Sequence, residues 1–400
     1  MWIESTLALR FLREGRTQTL LIATAIGVGV AVIVFITALI QGLQANIVAR
    51  TLGTQAHIRV QPPDETNLLA PLPADTLRLL LETRRAQRLR SINNWPEVQA
   101  TLDAHPEVTA VSPLVSGPAF ALRGNARESV AVVGIDTPRY QRIIPIADDI
   151  IAGTLRVGAG DALIGRTLAD NLGARVGDKF RLEAGDGREA RLNIAGIFEL
   201  GVRELDERYV YLDLKQAQSL LNLPGGVTVI DVTVRDIFGA DAIARRIGAL
   251  TGLKAESWMQ SNTQLMNALR SQSLSTSMIS FFVAVSVAFG IASMLSISVV
   301  QRTRQIGILR AMGTRRRQML IVFLVQGAVL GFGASALGSL AGYALVWAFN
   351  NLGPGLFQVP LSAMLVVITV VLATLTGTLA AAIPARRAAR LDPVVAIRHA

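Results

Sequence analysis

The chain has 400 residues, of which 51% are hydrophobic and only 17% are charged, with a formal net charge of +10 and no cysteine. Ordinary globular domains carry about 25% charged residues. This balance therefore excludes a soluble globular enzyme and a disordered chain, and the lack of cysteine excludes disulfides, thiolate metal sites and cysteine nucleophiles.

Uncharged stretches predict four membrane spans. Residues 17–49 and 271–301 are uncharged runs of 33 and 31 residues, and residues 318–385 form a run of 68. A spanning helix needs ~20 apolar residues, so the first two runs hold one span each. The turn-forming residues 350–360 divide the third run into two spans. We expect a membrane α-helical protein with four transmembrane helices in a 1+3 arrangement, and a large mixed α/β periplasmic domain between helices 1 and 2.

The predicted segments follow one another in a simple order. The first apolar run is too long for the 7–15-residue core of a signal peptide, and it should tilt or extend outward as a stalk. The segments are an amphipathic cytoplasmic N-terminus (1–16), transmembrane helix 1 and stalk (17–49), the periplasmic domain (50–270), transmembrane helix 2 (271–301), a cytoplasmic connection (302–317), transmembrane helix 3 (318–349), a short outer loop (350–360), transmembrane helix 4 (361–383) and a cytoplasmic tail (384–400).

The distribution of charge predicts the orientation. Residues 1–16 carry three Arg and two Glu, residues 302–317 carry six Arg and no acid, and residues 384–400 carry four Arg and one Asp. These three flanks account for the whole net charge, because residues 50–270 are balanced between acids and bases. An excess of Arg beside the spans marks the cytoplasmic side of a membrane protein, so we interpret it as a topology signal and expect no nucleic-acid partner.

The block between the first two spans is predicted to be a mixed α/β domain in two lobes. Alternating apolar and polar residues predict strands at 57–60, 130–135, 191–194, 209–212 and 229–235, the last with Ile230 and Val232 on one face and Asp231 on the other. Helical patterns lie at 74–90, 96–104, 162–172, 214–221 and 240–250. Residues 62–73 and 185–187 are predicted loops.

No motif for catalysis or metal binding is found. None of the three lysines follows a glycine as a phosphate-binding loop requires, and the three histidines are scattered. The adjacent acids Asp206 and Glu207 are interpreted as solvated surface. The spans contain no charged residue, which argues against a proton relay. We therefore predict a non-enzymatic chain with no catalytic, cofactor-binding or metal-ligating residue.

The connection between spans two and three carries the strongest pattern. Ile306, Leu309 and Gly313 are spaced as one face of a short helix, with arginines on its flanks. Such a helix either lies on the membrane surface or docks into another protein with Ile306, Leu309 and Met312 as anchors.

Several segments resemble those of one protein family. The string QIGILRAMGTRRRQ at 305–318 is similar to the segment between spans two and three of ABC-transporter permeases of the FtsX/MacB/lipoprotein-releasing (type VII) superfamily. The tail PARRAARLDP at 384–393 resembles the ending of those proteins. VGID at 133–136, LIGR at 163–166, LGARVGD at 172–178 and IAGIF at 194–198 resemble motifs of their periplasmic core domain. The resemblance covers the whole chain, and its layout is closest to the lipoprotein-releasing and separate-ATPase exporter permeases.

The resemblance implies partners and a role for the connection. In that superfamily the segment is a coupling helix seated on a cytoplasmic ABC ATPase, present in two copies, which binds ATP and Mg²⁺; this chain would bind no cofactor itself. A second permease, identical or related, and membrane lipid are further expected partners, and a periplasmic adaptor or carrier is another candidate. The expected location is the bacterial inner membrane. Gln305 lies where many members of that superfamily have Glu. One type of lipoprotein-releasing permease recruits a periplasmic carrier with a Pro-containing hook loop, and no such loop is found in this sequence. The implied coupling residues are Gln305, Ile306, Gly307, Ile308, Leu309, Arg310, Met312 and Gly313.

The substrate would contact the outer halves of spans one and two, where apolar and adaptable side chains suit acyl chains. Bulk lipid is the alternative contact for this face. The residues are Phe35, Ile36, Leu39, Ile40, Leu43, Leu274, Met278, Phe281 and Phe282.

Three functions are compatible with the sequence: export or extraction of a lipoprotein or other amphiphile, mechanotransmission to a periplasmic partner such as a cell-wall hydrolase, and sensing of amphiphilic peptides. The small residues of the third span, such as Gly331 and Gly338, would allow close helix packing either within one subunit or between two.

Overall fold

The structure is a computed structural model that describes residues 2–64, 89–353, 355, 357–360 and 362–391. The chain divides into two compact units. The helical unit comprises Met1–Val48 and Asn267–Ala400, and the α/β unit comprises Ala49–Met266. Two helices, α1 (Trp2–Glu14) and α2 (Arg16–Gly53), lead into the α/β unit.

The described part of the α/β unit contains seven α-helices, one short 3-10 helix (Ile146–Asp149) and ten strands. The helices are α3 (Trp95–Asp103), α4 (Thr137–Tyr140), α5 (Arg166–Leu172), α6 (Arg203–Arg208), α7 (Leu214–Leu220), α8 (Ala240–Thr251) and α9 (Trp258–Ser261). The strands are β1 (Ile58–Gln61), β2 (Val108–Arg123), β3 (Ala126–Ile135), β4 (Ile150–Gly153), β5 (Asp161–Gly165), β6 (Lys179–Ala184), β7 (Glu189–Phe198), β8 (Tyr209–Asp213), β9 (Val229–Val234) and β10 (Lys254–Ser257).

All ten of these strands join one sheet, in the order β10-β1-β9-β2-β3-β8-β5-β7-β4, with β6 pairing β2 and β7. The pairings are antiparallel except β3 with β8 and β5 with β7. Strand β2 is long enough to pair β9 through its first half and β6 through its second half. The sheet is therefore continuous across the block for which two lobes were predicted. Two hydrophobic clusters do pack on the sheet, one around Leu168 and Leu182 and the other around Tyr140 and Phe198.

Most of the predicted elements of this unit are confirmed. The five predicted strands correspond to β1, β3, β7, β8 and β9, and three predicted helices correspond to α3, α7 and α8. The predicted helix at 162–172 is wrong in its first part, because Asp161–Gly165 forms the buried strand β5 before α5 begins. The turn at 185–187 is confirmed. Residues 74–88 of another predicted helix, and residues 65–73 of a predicted loop, lie outside the described residues.

The chain returns through five further helices, which are α10 (Thr263–Gln301), α11 (Thr303–Ala311), α12 (Arg316–Leu352), α13 (Ala363–Ala380) and α14 (Ala382–Arg390). Four helical segments of the described residues are long and apolar enough to cross a membrane: Arg16–Gly53, Thr263–Gln301, Arg316–Leu352 and Ala363–Arg390. A 38-residue helix is about 57 Å long at 1.5 Å per residue, which exceeds the ~30 Å hydrocarbon core.

Small residues of α12 provide close contacts within the helical unit. A Cβ atom built on Gly338 would lie 2.4 Å from the Gly27 carbonyl oxygen on α2, and one on Gly327 would lie 2.5 Å from the Gly377 carbonyl oxygen on α13. Backbones approach this closely only where both helices lack side chains at the crossing. Of the two alternatives for these small residues, the structure shows packing within one chain.

Residues between α12 and α13 pack against α2. The side chain of Asn350 donates a hydrogen bond to the Val359 carbonyl (3.0 Å) and accepts one from its N–H (2.9 Å). Val359 is buried with Ala38 and Val346, and a Cβ on Gly42 would lie 3.0 Å from the Val359 Cα. A glycine on α2 therefore permits the backbone of this turn to approach closely.

Candidate functional site

The short helix α11 buries one face inside the helical unit. Ile306 is fully buried in a cluster with Val299, Met319, Phe323 and alanines of α14. Leu309 packs against the same cluster, and it also contacts Ala8 of α1 and Val322 of α12. The prediction that Ile306 anchors a partner is therefore wrong, because this side chain holds α11 on its own subunit. Leu309 is only partly buried, and its contact with a partner stays a prediction.

The opposite face of α11 is open. Met312 is 79% exposed and Ile308 is 44% exposed, and Arg304, Gln305 and Ala311 are also exposed. An exposed pair of large apolar residues on a short helix, flanked by polar and basic groups, suits either a protein-docking surface or a helix on the membrane surface. We call Arg304, Gln305, Ile308, Ala311 and Met312 the α11 outer face. Of the predicted coupling residues, Gln305, Ile308 and Met312 belong to it, whereas Gly307 is buried.

Gly313 ends α11 in a defined geometry. Its φ angle is +99°, its N–H donates to the Arg310 carbonyl (3.1 Å), and the Thr314 N–H donates to the Leu309 carbonyl (3.1 Å). This pair of bonds is a Schellman motif, in which glycine readily adopts the positive φ angle. The motif turns the chain sharply, so that α12 begins only at Arg316.

The N-terminal helix α1 packs beside α11. Ala8 and Phe11 are buried against Val322 on α12. The buried side chain of Gln326 donates a hydrogen bond from Nε2 to the Ala8 carbonyl (3.4 Å). The amphipathic pattern of the first 16 residues was predicted, but the protein surface that receives its apolar side could not be identified from the pattern. The side chains of α1 therefore form part of the surroundings of α11.

The predicted substrate-facing residues divide between two environments. Phe35 and Leu39 pack in the cluster with Val359, and the Phe35 ring lies 6.4 Å from the Phe349 ring. On α10, the four predicted side chains are exposed, and the Phe281 and Phe282 rings form an edge contact. Leu43 is exposed, and Ile36 and Ile40 are partly buried. Substrate contact stays a prediction for all nine residues, and Leu43 and the four residues of α10 are the most exposed of them.

The α/β unit contains a buried acidic residue, Asp231, whose burial the alternation of apolar and polar residues along β9 did not reveal. Asp231 is 1% exposed on β9, between β1 and β2, and its Oδ1 accepts a bond from Arg59 Nε at 3.3 Å. Burial raises the pKa of Asp231, and the Arg59 guanidinium partly opposes the rise. Asp206, predicted as solvated surface, is also buried and accepts a hydrogen bond from the Leu200 N–H (2.8 Å). Both acids therefore have partners within the α/β unit.

The architecture is thus that of a polytopic membrane protein with a large α/β domain between its first two spans and a small helix between its second and third. The profile of the MacB-like periplasmic core domain matches residues 19–250, and that of the FtsX-like permease C-terminal region matches residues 277–393. The chain belongs to this FtsX-like/MacB-like family of ABC-transporter permeases.

Characterised relatives are distant but extend over the chain. Lipoprotein-releasing system transmembrane protein LolC of Xylella fastidiosa is 24% identical over 98% of this chain and 98% of its own length. Macrolide export ATP-binding/permease protein MacB of Acinetobacter baylyi is 25% identical over 98% of this chain, which spans 58% of that relative. The solved periplasmic region of MacB from Actinobacillus actinomycetemcomitans aligns over 55% of this chain and 96% of its own, at 13% identity and a TM-score of 0.35.

Proposed function

We propose that the chain is the transmembrane subunit of an ABC transporter in which a separate cytoplasmic ATPase, binding ATP and Mg²⁺, drives export or extraction of a lipoprotein or another amphiphile. The observation that carries this proposal is the α11 outer face. Ile306 holds α11 on the subunit while Ile308 and Met312 remain open on the opposite side. Because the buried face attaches α11 to its own subunit and the exposed face is apolar, a protein docked on the exposed face could displace α11 together with the helices it contacts.

The proposed orientation follows from charge. The three Arg-rich flanks, including the segment around α11, face the cytoplasm, and the α/β unit faces the periplasm. Two permeases would act with two ATPase subunits, because ABC ATPases work in pairs. Two observations support a lipoprotein or similar amphiphile as the substrate. The relative LolC, which matches over 98% of its own length, belongs to a lipoprotein-releasing system, and α10 carries exposed apolar side chains.

The test compares substitutions at Met312 in membranes that contain the ATPase subunit. Met312→Asp and Met312→Lys should both weaken copurification of a P-loop ATPase, because a charged side chain would replace a desolvated apolar anchor. Loss of one anchor costs about 2 kcal/mol, on the order of a 30-fold weaker association.

Comparison of Met312→Asp with Met312→Lys distinguishes docking to a protein from a helix that lies on the membrane surface. A helix lying on an anionic membrane surface would be disturbed by Asp but would tolerate Lys. Equal loss with both substitutions supports docking to a protein. Full copurification with Met312→Lys contradicts it. An ATPase that binds but is never stimulated by an acylated protein, while a periplasmic hydrolase copurifies with the chain, would favour mechanotransmission over transport.

A further inference from the structure

Two arginines join α11 to neighbouring helices at its opposite ends. Arg302, the residue before α11, donates from Nη2 to the Phe11 carbonyl (2.7 Å) and from Nη1 to Glu14 Oε2 (3.1 Å). Its guanidinium also lies over the Phe11 ring, 4.7 Å from the centroid, and its side chain is only 12% exposed. One guanidinium thus contacts the last turn of α1 in three ways.

Arg310, in the last turn of α11, makes the corresponding contact with α14. Its Nη1 donates to the Ala389 carbonyl (3.1 Å) and also contacts the Leu391 carbonyl. The last carbonyls of a helix have no partner within it and carry the negative end of the helix dipole, so a guanidinium there is strongly favoured. The nearby Arg304 differs, because it is exposed on the α11 outer face.

We propose that Arg302 and Arg310 are positioning residues that clamp α11 to α1 and α14, so that the three helices move as one body. Gly15 alone separates α1 from α2, and Ala381 alone separates α13 from α14. A displacement of α11 is therefore delivered to the first span through Arg302 and to the fourth span through Arg310. This proposal rests on the proposed function for the source of the displacement, but the clamp itself is a property of this chain.

Distances between spin labels test the clamp without the ATPase. The chain has no cysteine, so Leu9→Cys on α1, Ala311→Cys on α11 and Ile383→Cys on α14 give exposed labelling sites free of background. Pulsed electron paramagnetic resonance on the full chain in nanodiscs should give a narrow distribution for the Leu9–Ala311 pair and for the Ile383–Ala311 pair.

Each arginine should control one distance only. Arg302→Gln should broaden the Leu9–Ala311 distribution and leave Ile383–Ala311 narrow, whereas Arg310→Gln should do the reverse; the apolar contacts of Ile306 and Leu309 remain in both variants. Arg304→Gln is the matched control and should change neither. The clamp is overturned if both distributions stay narrow in both variants, or if either substitution disturbs both distances, as general loosening of the fold would.

A second measurement concerns transmission. In complexes with the copurified ATPase, a synthetic acylated peptide serves as the probe, and the stimulation of ATP hydrolysis is measured. Both Gln variants should retain the ATPase yet lose the stimulation, and Arg302→Lys should restore part of it because an ammonium still donates to Phe11 or Glu14. Unchanged stimulation in both Gln variants refutes the transmission. If the wild-type chain binds no ATPase, the proposed function fails, while the label distances still decide the clamp.

Discussion

Close packing of α2 on α12 leads to a prediction with a matched control five residues away. A Cβ on Gly338 would lie 2.4 Å from the Gly27 carbonyl oxygen and 2.9 Å from the Val30 Cβ, whereas a Cβ on Gly333 meets nothing within 4 Å. Both glycines lie inside the same helix. The same substitution by alanine should therefore destabilise the protein at Gly338 but not at Gly333.

The magnitudes follow from these distances. For Gly338→Ala the two helices must separate by about 0.6 Å to reach the shortest contact that real Cβ atoms make, and such overpacking costs about 1–3 kcal/mol. For Gly333→Ala no contact is strained, and alanine is better than glycine within a helix by about 1 kcal/mol. The first substitution should lower the free energy of unfolding and the second should raise it or leave it unchanged.

The assay is thermal unfolding in nanodiscs, followed by tryptophan fluorescence of the wild type and both variants under the same conditions. The midpoint of Gly338→Ala should lie below that of the wild type, and the midpoint of Gly333→Ala should not. A Gly338→Ala variant as stable as the wild type would refute the α2–α12 contact. Equal destabilisation by both substitutions would mean that any added methyl group disturbs α12.

Two further predictions concern the α/β unit. Because burial raises the pKa of Asp231, the folded state binds its proton more tightly than the unfolded chain does. The contribution of Asp231 to stability should therefore fall as the pH rises from the ordinary aspartate pKa through the raised value, and Asp231→Asn should flatten that slope in urea unfolding at stepped pH. Gly165→Ala should lower the unfolding midpoint by an amount equivalent to about 2 kcal/mol or more, because its Cβ would lie 2.1 Å from the Asp206 carbonyl oxygen. Gly185→Ala, whose Cβ meets nothing within 4 Å, should not change the midpoint in the same thermal scan.

The sequence predicted the spans because their signal is local. A long uncharged run has few solutions other than membrane helices, and four helices long and apolar enough to cross a membrane are present among the described residues. Strand β5 was missed because a short apolar run suits a buried strand and a buried helix equally well. Residues 161–165 form a strand because they pair with β7 and β8, and both of these strands come later in the chain.

Periodicity also identified an apolar face on α11 without showing what covers it. Ile306 and Leu309 have the spacing of docking anchors, but they face the α12 and α14 side chains that only the folded chain brings near. On β9, alternation placed Asp231 opposite Ile230, yet both faces of a central strand are covered and the acid is buried beside Arg59. In each case the missing information is the identity of the neighbouring element.

Placement of Met312 against an ATPase is the central claim, and crosslinking tests it most directly. A photoreactive amino acid at Met312, which is exposed on α11, should crosslink in living cells to a P-loop ATPase identified by mass spectrometry. The same group at Leu340, an exposed position within α12, serves as the control and should give lipid adducts. An ATPase adduct at Met312 and none at Leu340 is the predicted result. Lipid adducts alone at both positions would contradict the account.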